Sequence, residues 1–263
     1  MSTSTQPPGL LSAEQLGELL DLTKQADSVE LKMTVPNAER PLAVASLGLD
    51  PLDAQIRQVY FFDTADLALN RRGVVVRARR IQGRNDDSVV KVRPVNPTEV
   101  ATARKSKSLT VEVDAMPGGF VCSASMKATF GRTDVKEVAA GTRAIHKVYT
   151  KEQQSFFRAN ALSELELDDL VCLGPITVLK QKLRPEEYAG RLVAELWLYP
   201  DGSRILELSS RCAPANAFQV AAELKAFLVK RGLEISGDQQ TKTTTALAYF
   251  AGELARVAAP AGP

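Results

Sequence analysis

Apolar and polar residues alternate with a period of two along several short stretches of this chain. From Ser28 to Thr34 the order is Ser-Val-Glu-Leu-Lys-Met-Thr. Read as a strand, it places Val29, Leu31 and Met33 on one face and Ser28, Glu30, Lys32 and Thr34 on the other. The same period returns at residues 74–80, where Arg77 and Arg79 are polar positions, at 88–93 with Lys91 and Arg93, and at 109–115 with Glu112 and Asp114. It resumes at 176–184 (Lys180, Lys182, Arg184), 192–199 (Glu195) and 204–209 (Glu207). Residues 59–62, Val-Tyr-Phe-Phe, predict a further strand leading into Asp63-Thr64. Asn85-Asp86-Asp87, Pro117-Gly118-Gly119 and Pro200-Asp201-Gly202 are turn signals between strands.

Helical signals lie between and around these strands. Ser12 with Gln15 has capping-box spacing for a helix to about residue 25, and Thr150 with Gln153 caps another. Residues 42–49 predict a brief helix, 215–231 a longer one, and a last helix follows Thr241. Residues 121–173 read as helical and irregular, and the acidic segment 164–168 as a solvated helical face. The reading is thus a tail and helix over 1–25, one domain over 26–257 and a frayed tail over 258–263.

Composition narrows the function classes. The chain has 263 residues, 44% of them apolar and 24% charged, with a net charge of +2. So small an excess gives no general attraction to a nucleic acid duplex or a membrane, so any charge function must come from local clustering. No run approaches transmembrane length. Cys122, Cys172 and Cys212 are odd in number and widely spaced, which favours reduced thiols and a cytoplasmic setting. His146 is the only histidine, which argues against histidine metal sites and Ser-His catalysis. Trp197, alone on its strand, reads as packing.

The polar faces leave two readings open. A half-exposed antiparallel sheet would turn them to water. A closed barrel would turn them inward, where arginines and lysines could hold a chain of phosphates and carboxylates a divalent cation.

In order along the chain, the residues resemble a family. Ser28-Val-Glu-Leu-Lys32 resembles the Glu-x-Glu-x-Lys signature of the CYTH superfamily, the triphosphate tunnel metalloenzymes. Residues 60–67 followed by 71–79 are similar to its aromatic-Asp-Thr segment and Arg-x-Arg strand. Residues 90–94 resemble its lysine-bearing return strand, 111–114 its next acidic strand, and Lys180-Gln181-Lys182 and Leu206-Glu207-Leu208 its late basic and acidic strands. Gln240-Thr241-Lys242 resembles its terminal element. The resemblance implies an α+β fold: an antiparallel, eight-stranded β-tunnel, closed as a barrel, with flanking helices. It implies that Lys32, Arg77, Arg79, Lys91, Arg93, Lys180, Lys182 and Lys242 bind substrate phosphates. Glu30, Glu112, Asp114 and Glu207 would hold Mg²⁺ or Mn²⁺, with Glu30, Glu112 and Glu207 as the catalytic carboxylates.

The implied ligand is a small-molecule triphosphate, a short polyphosphate or a nucleotide, and the implied activity a metal-dependent triphosphatase. Two departures qualify this: Ser28 stands where the signature has its first Glu, and Glu207 is flanked by Ile205 and Ser209 in place of further acids. A hydroxyl is a poor substitute for a carboxylate on a hard cation. A non-catalytic phosphate-binding tunnel and a class IV-type adenylyl cyclase therefore stand as alternatives, and homodimer formation is left open.

Overall fold

Nine strands among the described residues close on themselves in the computed structural model, which describes residues 17, 21–97, 99, 100, 106, 108–233 and 242–258. They are β1 (Ser28–Val35), β2 (Gln55–Asp63), β3 (Val74–Ile81), β4 (Asp87–Val92), β5 (Leu109–Met116), β6 (Gly119–Thr129), β7 (Val171–Leu183), β8 (Leu192–Leu198) and β9 (Arg204–Cys212). The order around the barrel is β1-β5-β6-β4-β3-β2-β7-β8-β9, and β9 pairs back to β1. The expectation of eight antiparallel strands is corrected in two respects. There are nine strands, and β1 runs parallel to β5.

The extra strand is β6, which lies in the stretch read as helical. Its residues 121–129, Val-Cys-Ser-Ala-Ser-Met-Lys-Ala-Thr, carry almost no β-branched or aromatic signal. Pairing on both sides holds it as a strand, with β5 (Glu112 opposite Ser123) and with β4 (Lys91 opposite Ser125). The Ser12–Gln15 cap, most of the basic segment 104–107, Gln240-Thr241 and residues 259–263 lie outside the described residues.

Short helices cover the outside. These are α1 (Arg40–Leu47), α2 (Ala68–Arg71), α3 (Asp134–Ala139), α4 (Lys151–Asn160, closed by the Thr150–Gln153 capping box), α5 (Ala217–Lys230) and α6 (Lys242–Ala258). Outward-facing Val29, Leu31, Val113, Leu192 and Leu208 form one core with Ala43 and Leu47 of α1 and Leu224, Phe227 and Leu228 of α5. Phe62, Val74, Val76 and Val90 form a second, with Val135 of α3 and Phe157 of α4. The acidic segment 164–168 is not the helical face expected: Glu164 to Glu166 are turn and irregular, and only Leu167 and Asp168 enter a 3-10 turn, Leu167–Asp169, in which Asp168 accepts from the His146 backbone N–H.

A third core occupies the lumen. Val59 and Phe61 of β2, Val75 of β3, Ile176 and Val178 of β7, Trp197 of β8 and Ile205 of β9 have inward parity, and Ala246 and Leu247 of α6 pack on them. The lumen is therefore apolar where α6 covers it and polar toward the opposite mouth. Trp197, buried here, is packing, as its sequence context predicted.

The β2–β3 connection is built on two residues. Asp63 is buried and accepts backbone N–H bonds from Thr64, Leu69 and Asn70 at 2.7, 2.9 and 3.0 Å. Gly73 has φ +74°, and a Cβ there would lie 1.8 Å from the carbonyl oxygen of Arg93. Gly73→Ala is therefore expected to cost more than the roughly 1–2 kcal/mol of a left-handed alanine alone, because backbone must also move. Gly118→Ala, with φ +85° but open space around it, should show only that smaller cost in urea unfolding.

Candidate functional site

Two-residue parity delivers charged side chains from almost every strand into the polar half of the lumen. On β2 and β3 these are Arg57, Arg77 and Arg79. Arg79 forms a forked pair with Asp87 of β4 at 2.7 and 2.6 Å. Arg57 is held by Gln55 through two hydrogen bonds of 3.1 and 2.7 Å. Arg77 lies between them without an ion pair among the described residues, and its Nε is buried with no hydrogen-bond partner. Burial, followed by the neighbouring Arg79, brings its pKa down to about 10. A half-buried guanidinium with its Nε desolvated and unpaired is a strong attractor for an anion.

On β7, β8 and β9 the charges alternate in sign. Lys180 Nζ lies 2.7 Å from Glu195, and Lys242 Nζ, at the first residue of α6, lies 2.6 Å from both Glu195 and Glu207. Lys242 also sits 5.0 Å above the Trp197 ring. Burial acts to raise the Glu195 pKa, but Lys242 and Lys180 outweigh it and hold the group well below the usual carboxylate range.

The acidic centre comes from the parallel pairing. Register places Ser28 opposite Glu112 and Glu30 opposite Asp114. Oxygens of Glu30, Glu112 and Asp114 lie within 4.8 Å of one another. Lys32 is 2.7 Å from Asp114 and 3.0 Å from Glu30, and Lys91 is 2.9 Å from Asp114. Arg211, at the far end of β9, donates from Nη2 to both Glu112 oxygens at 2.7 and 2.9 Å and lies 3.6 Å from Glu30. Burial and then the Glu30 carboxylate push Glu112 up to about 7. Burial also works to raise Glu30, but Lys32, a hydrogen bond with Glu112 and Arg211 hold it far below its ordinary value.

The structure thus brings the sequence-selected residues into three groups. Glu30, Lys32, Lys91, Glu112 and Asp114 form one, Lys180, Glu207 and Lys242 a second, and Arg77 and Arg79 a third. Glu207 pairs with Lys242 and lies outside the acidic trio. Lys182 lines the open mouth, a cavity of about 870 Å³ shared with Glu30, Lys180, Arg184, Arg191 and Arg211. Arg93 follows the end of β4, its backbone N–H donating to Gly73. Arg57, Asp87, Glu195 and Arg211 were not selected from the sequence. Glu195 has inward parity; Asp87 completes a turn signal, and Arg211 lies beyond the alternation that ends at residue 209.

No family model and no curated protein matches the chain. Solved structures do. A candidate adenylate cyclase from Bacillus halodurans superposes with a TM-score of 0.58 at 13% identity, covering 84% of this chain and 97% of its own. A candidate adenylyl cyclase from Hippeastrum, described as having a dominant triphosphatase activity, superposes with a TM-score of 0.61 at 17% identity, covering 84% and 95%. At such identities the likeness is one of fold.

Proposed function

From a barrel that has the triphosphate-tunnel fold of the CYTH superfamily, we propose that this chain binds inorganic triphosphate or a short polyphosphate in its lumen and hydrolyses it with a divalent cation. The observation that carries the reading is Arg77, a half-buried cation with no ion pair among the described residues and a buried, unpaired Nε, set beside Arg57 and Arg79. A linear chain of phosphate charges satisfies such a set, and planar guanidinium groups suit phosphate oxygens. The Hippeastrum protein, which shares the fold, is described as a triphosphatase.

A hard cation fits the acidic centre. Glu30 and Glu112 are two carboxylates forced close enough that one gives up its proton only near neutrality, and Asp114 completes the oxygen donors. Glu30 and Glu112 would hold Mg²⁺ or Mn²⁺, which when bound supplies charge neutralisation on phosphate oxygens and a more acidic water. The chain's own part is electrostatic. Arg77 and Arg79 orient the phosphates, while Lys180 and Lys242 move from Glu195 to phosphate oxygens and oppose the charge that builds during transfer. Apolar residues under α6 exclude water from the covered end.

A receptor that binds without turnover is the second reading, supported by Ser28 opposite Glu112 and by Arg211 on the acidic pair. Phosphate release from tripolyphosphate with and without Mg²⁺ or Mn²⁺, alongside Glu30→Ala, separates the two. Metal-dependent release that the variant loses supports the hydrolase. Binding without release supports the receptor.

A further inference from the structure

We infer that Arg211 is a built-in competitor for the divalent cation: its guanidinium occupies the position between Glu112 and Glu30 and must swing out before a metal ion can bind. This rests on the metal reading of the acidic centre given above. Three observations carry it. Arg211 Nη2 is within hydrogen-bond distance of both Glu112 oxygens, 2.7 and 2.9 Å, and 3.6 Å from Glu30, so one cationic nitrogen already bridges the two carboxylates. Register places Arg211 directly opposite Glu30 on the β9–β1 ladder, which fixes the base of the side chain at the site. The side chain is nonetheless 50% exposed at the mouth, so it can leave without unpacking the core, whereas Lys32 at 18% cannot.

Ser28 explains why the position is free for it. A third carboxylate opposite Glu112 would add negative charge and side-chain volume beside the pair; a hydroxyl does neither, and the guanidinium fills the gap. The consequence is an exchange. With Arg211 inward, the acidic pair is neutralised and the tunnel is competent to bind phosphate without metal. With Arg211 outward, Glu30 and Glu112 are open to the cation, and the displaced guanidinium is left at the mouth beside Lys182, where it meets an incoming phosphate chain.

The test is Mn²⁺ binding to the full chain, followed by electron paramagnetic resonance of free Mn²⁺ without any phosphate substrate. Arg211→Gln is expected to tighten Mn²⁺ about tenfold or more, since the cation no longer competes with a charge-assisted pair. Lys182→Gln, which removes a mouth cation of the same charge but no contact with the acidic pair, controls for general electrostatics and should change affinity less than about threefold. In thermal melts, Mn²⁺ should raise the Tm of Arg211→Gln more than that of the parent.

Equal tightening in both variants, or none in Arg211→Gln, would overturn the competitor role while leaving the metal site intact. If the parent and Arg211→Gln both fail to bind Mn²⁺ yet still bind tripolyphosphate, the metal reading itself fails and the inference with it. Should Arg211→Gln not fold, Arg211→Lys gives the same test, with partial tightening expected, because a shorter side chain with a more strongly hydrated ammonium holds the carboxylate pair less firmly.

Discussion

Arg77→Met is expected to weaken tripolyphosphate binding strongly while leaving the barrel at least as stable as before. The two effects have opposite sign because Arg77, though only half-buried, keeps a desolvated Nε without a partner. It has no ion pair among the described residues, its Nε is unsatisfied, and burial together with Arg79 pulls its pKa to about 10. Replacing it with an apolar side chain of similar length removes that cost, worth roughly 1–3 kcal/mol by analogy with other buried charges. Binding should fall on the order of a hundredfold, the loss of a forked, charge-assisted contact in a site of low dielectric. Isothermal calorimetry and urea unfolding measure the two arms. A variant that loses stability and binding together would make Arg77 a structural residue.

Glu112→Gln is expected to remove metal-dependent turnover and to flatten the pH dependence of stability. Folding raises Glu112 from an ordinary 4.5 to about 7. The native state therefore keeps a proton that the unfolded chain has released between those values, and stability falls as pH rises through that window. A shift of this size corresponds to roughly 3 kcal/mol. Glu30, held low by Lys32 and its neighbours, works in a different range: its contribution is present above about pH 4.5 and is lost only in stronger acid. In metal-free protein the variant should thus gain stability relative to the parent above neutral pH and match it near pH 4.5. Metal affinity should fall by at least the roughly 10–100-fold that losing a ligand's supporting partner costs. Urea unfolding from pH 5 to 8 and Mn²⁺ titration check the two halves. A variant that is destabilised at pH 8 would show that Glu112 serves the fold through Arg211 and not the cation.

These effects trace back to features that the sequence made legible unequally. Glu30, Lys32, Lys91, Glu112 and Asp114 were readable because each sits in a run whose alternate residues are Val, Leu, Met or Ala, so parity marks the inward face. Parity alone did not decide whether that face met water; the ordered series of family-like motifs pointed to closure, and the structure has it. Arg57 was hidden because Gln55, Arg57 and Gln58 surround a single Ile56, and no alternation appears until Val59.

Asp87 looked like turn because it completes Asn-Asp-Asp, yet its carboxylate is the partner that fixes Arg79. The strand β6 escaped because its inward Ser123 and Ser125 and its outward Cys122 and Ala124 are all small, which is what lets the acidic centre form beside them. The parallel pairing of β1 with β5 is set by chain crossings more than 80 residues apart, as in the 82-residue separation of Lys32 and Asp114. Local sequence carries no trace of such a pairing, and it is what brings Glu30 and Glu112 together.

Whether the lumen is a receptor for a chain of phosphates is decided by calorimetric titration of tripolyphosphate into the metal-free full chain. Saturable binding at one site per chain is expected, weakening steeply as salt is raised, because the contacts are charge pairs in a cavity lined by cations. Absence of saturable binding at low salt would contradict it.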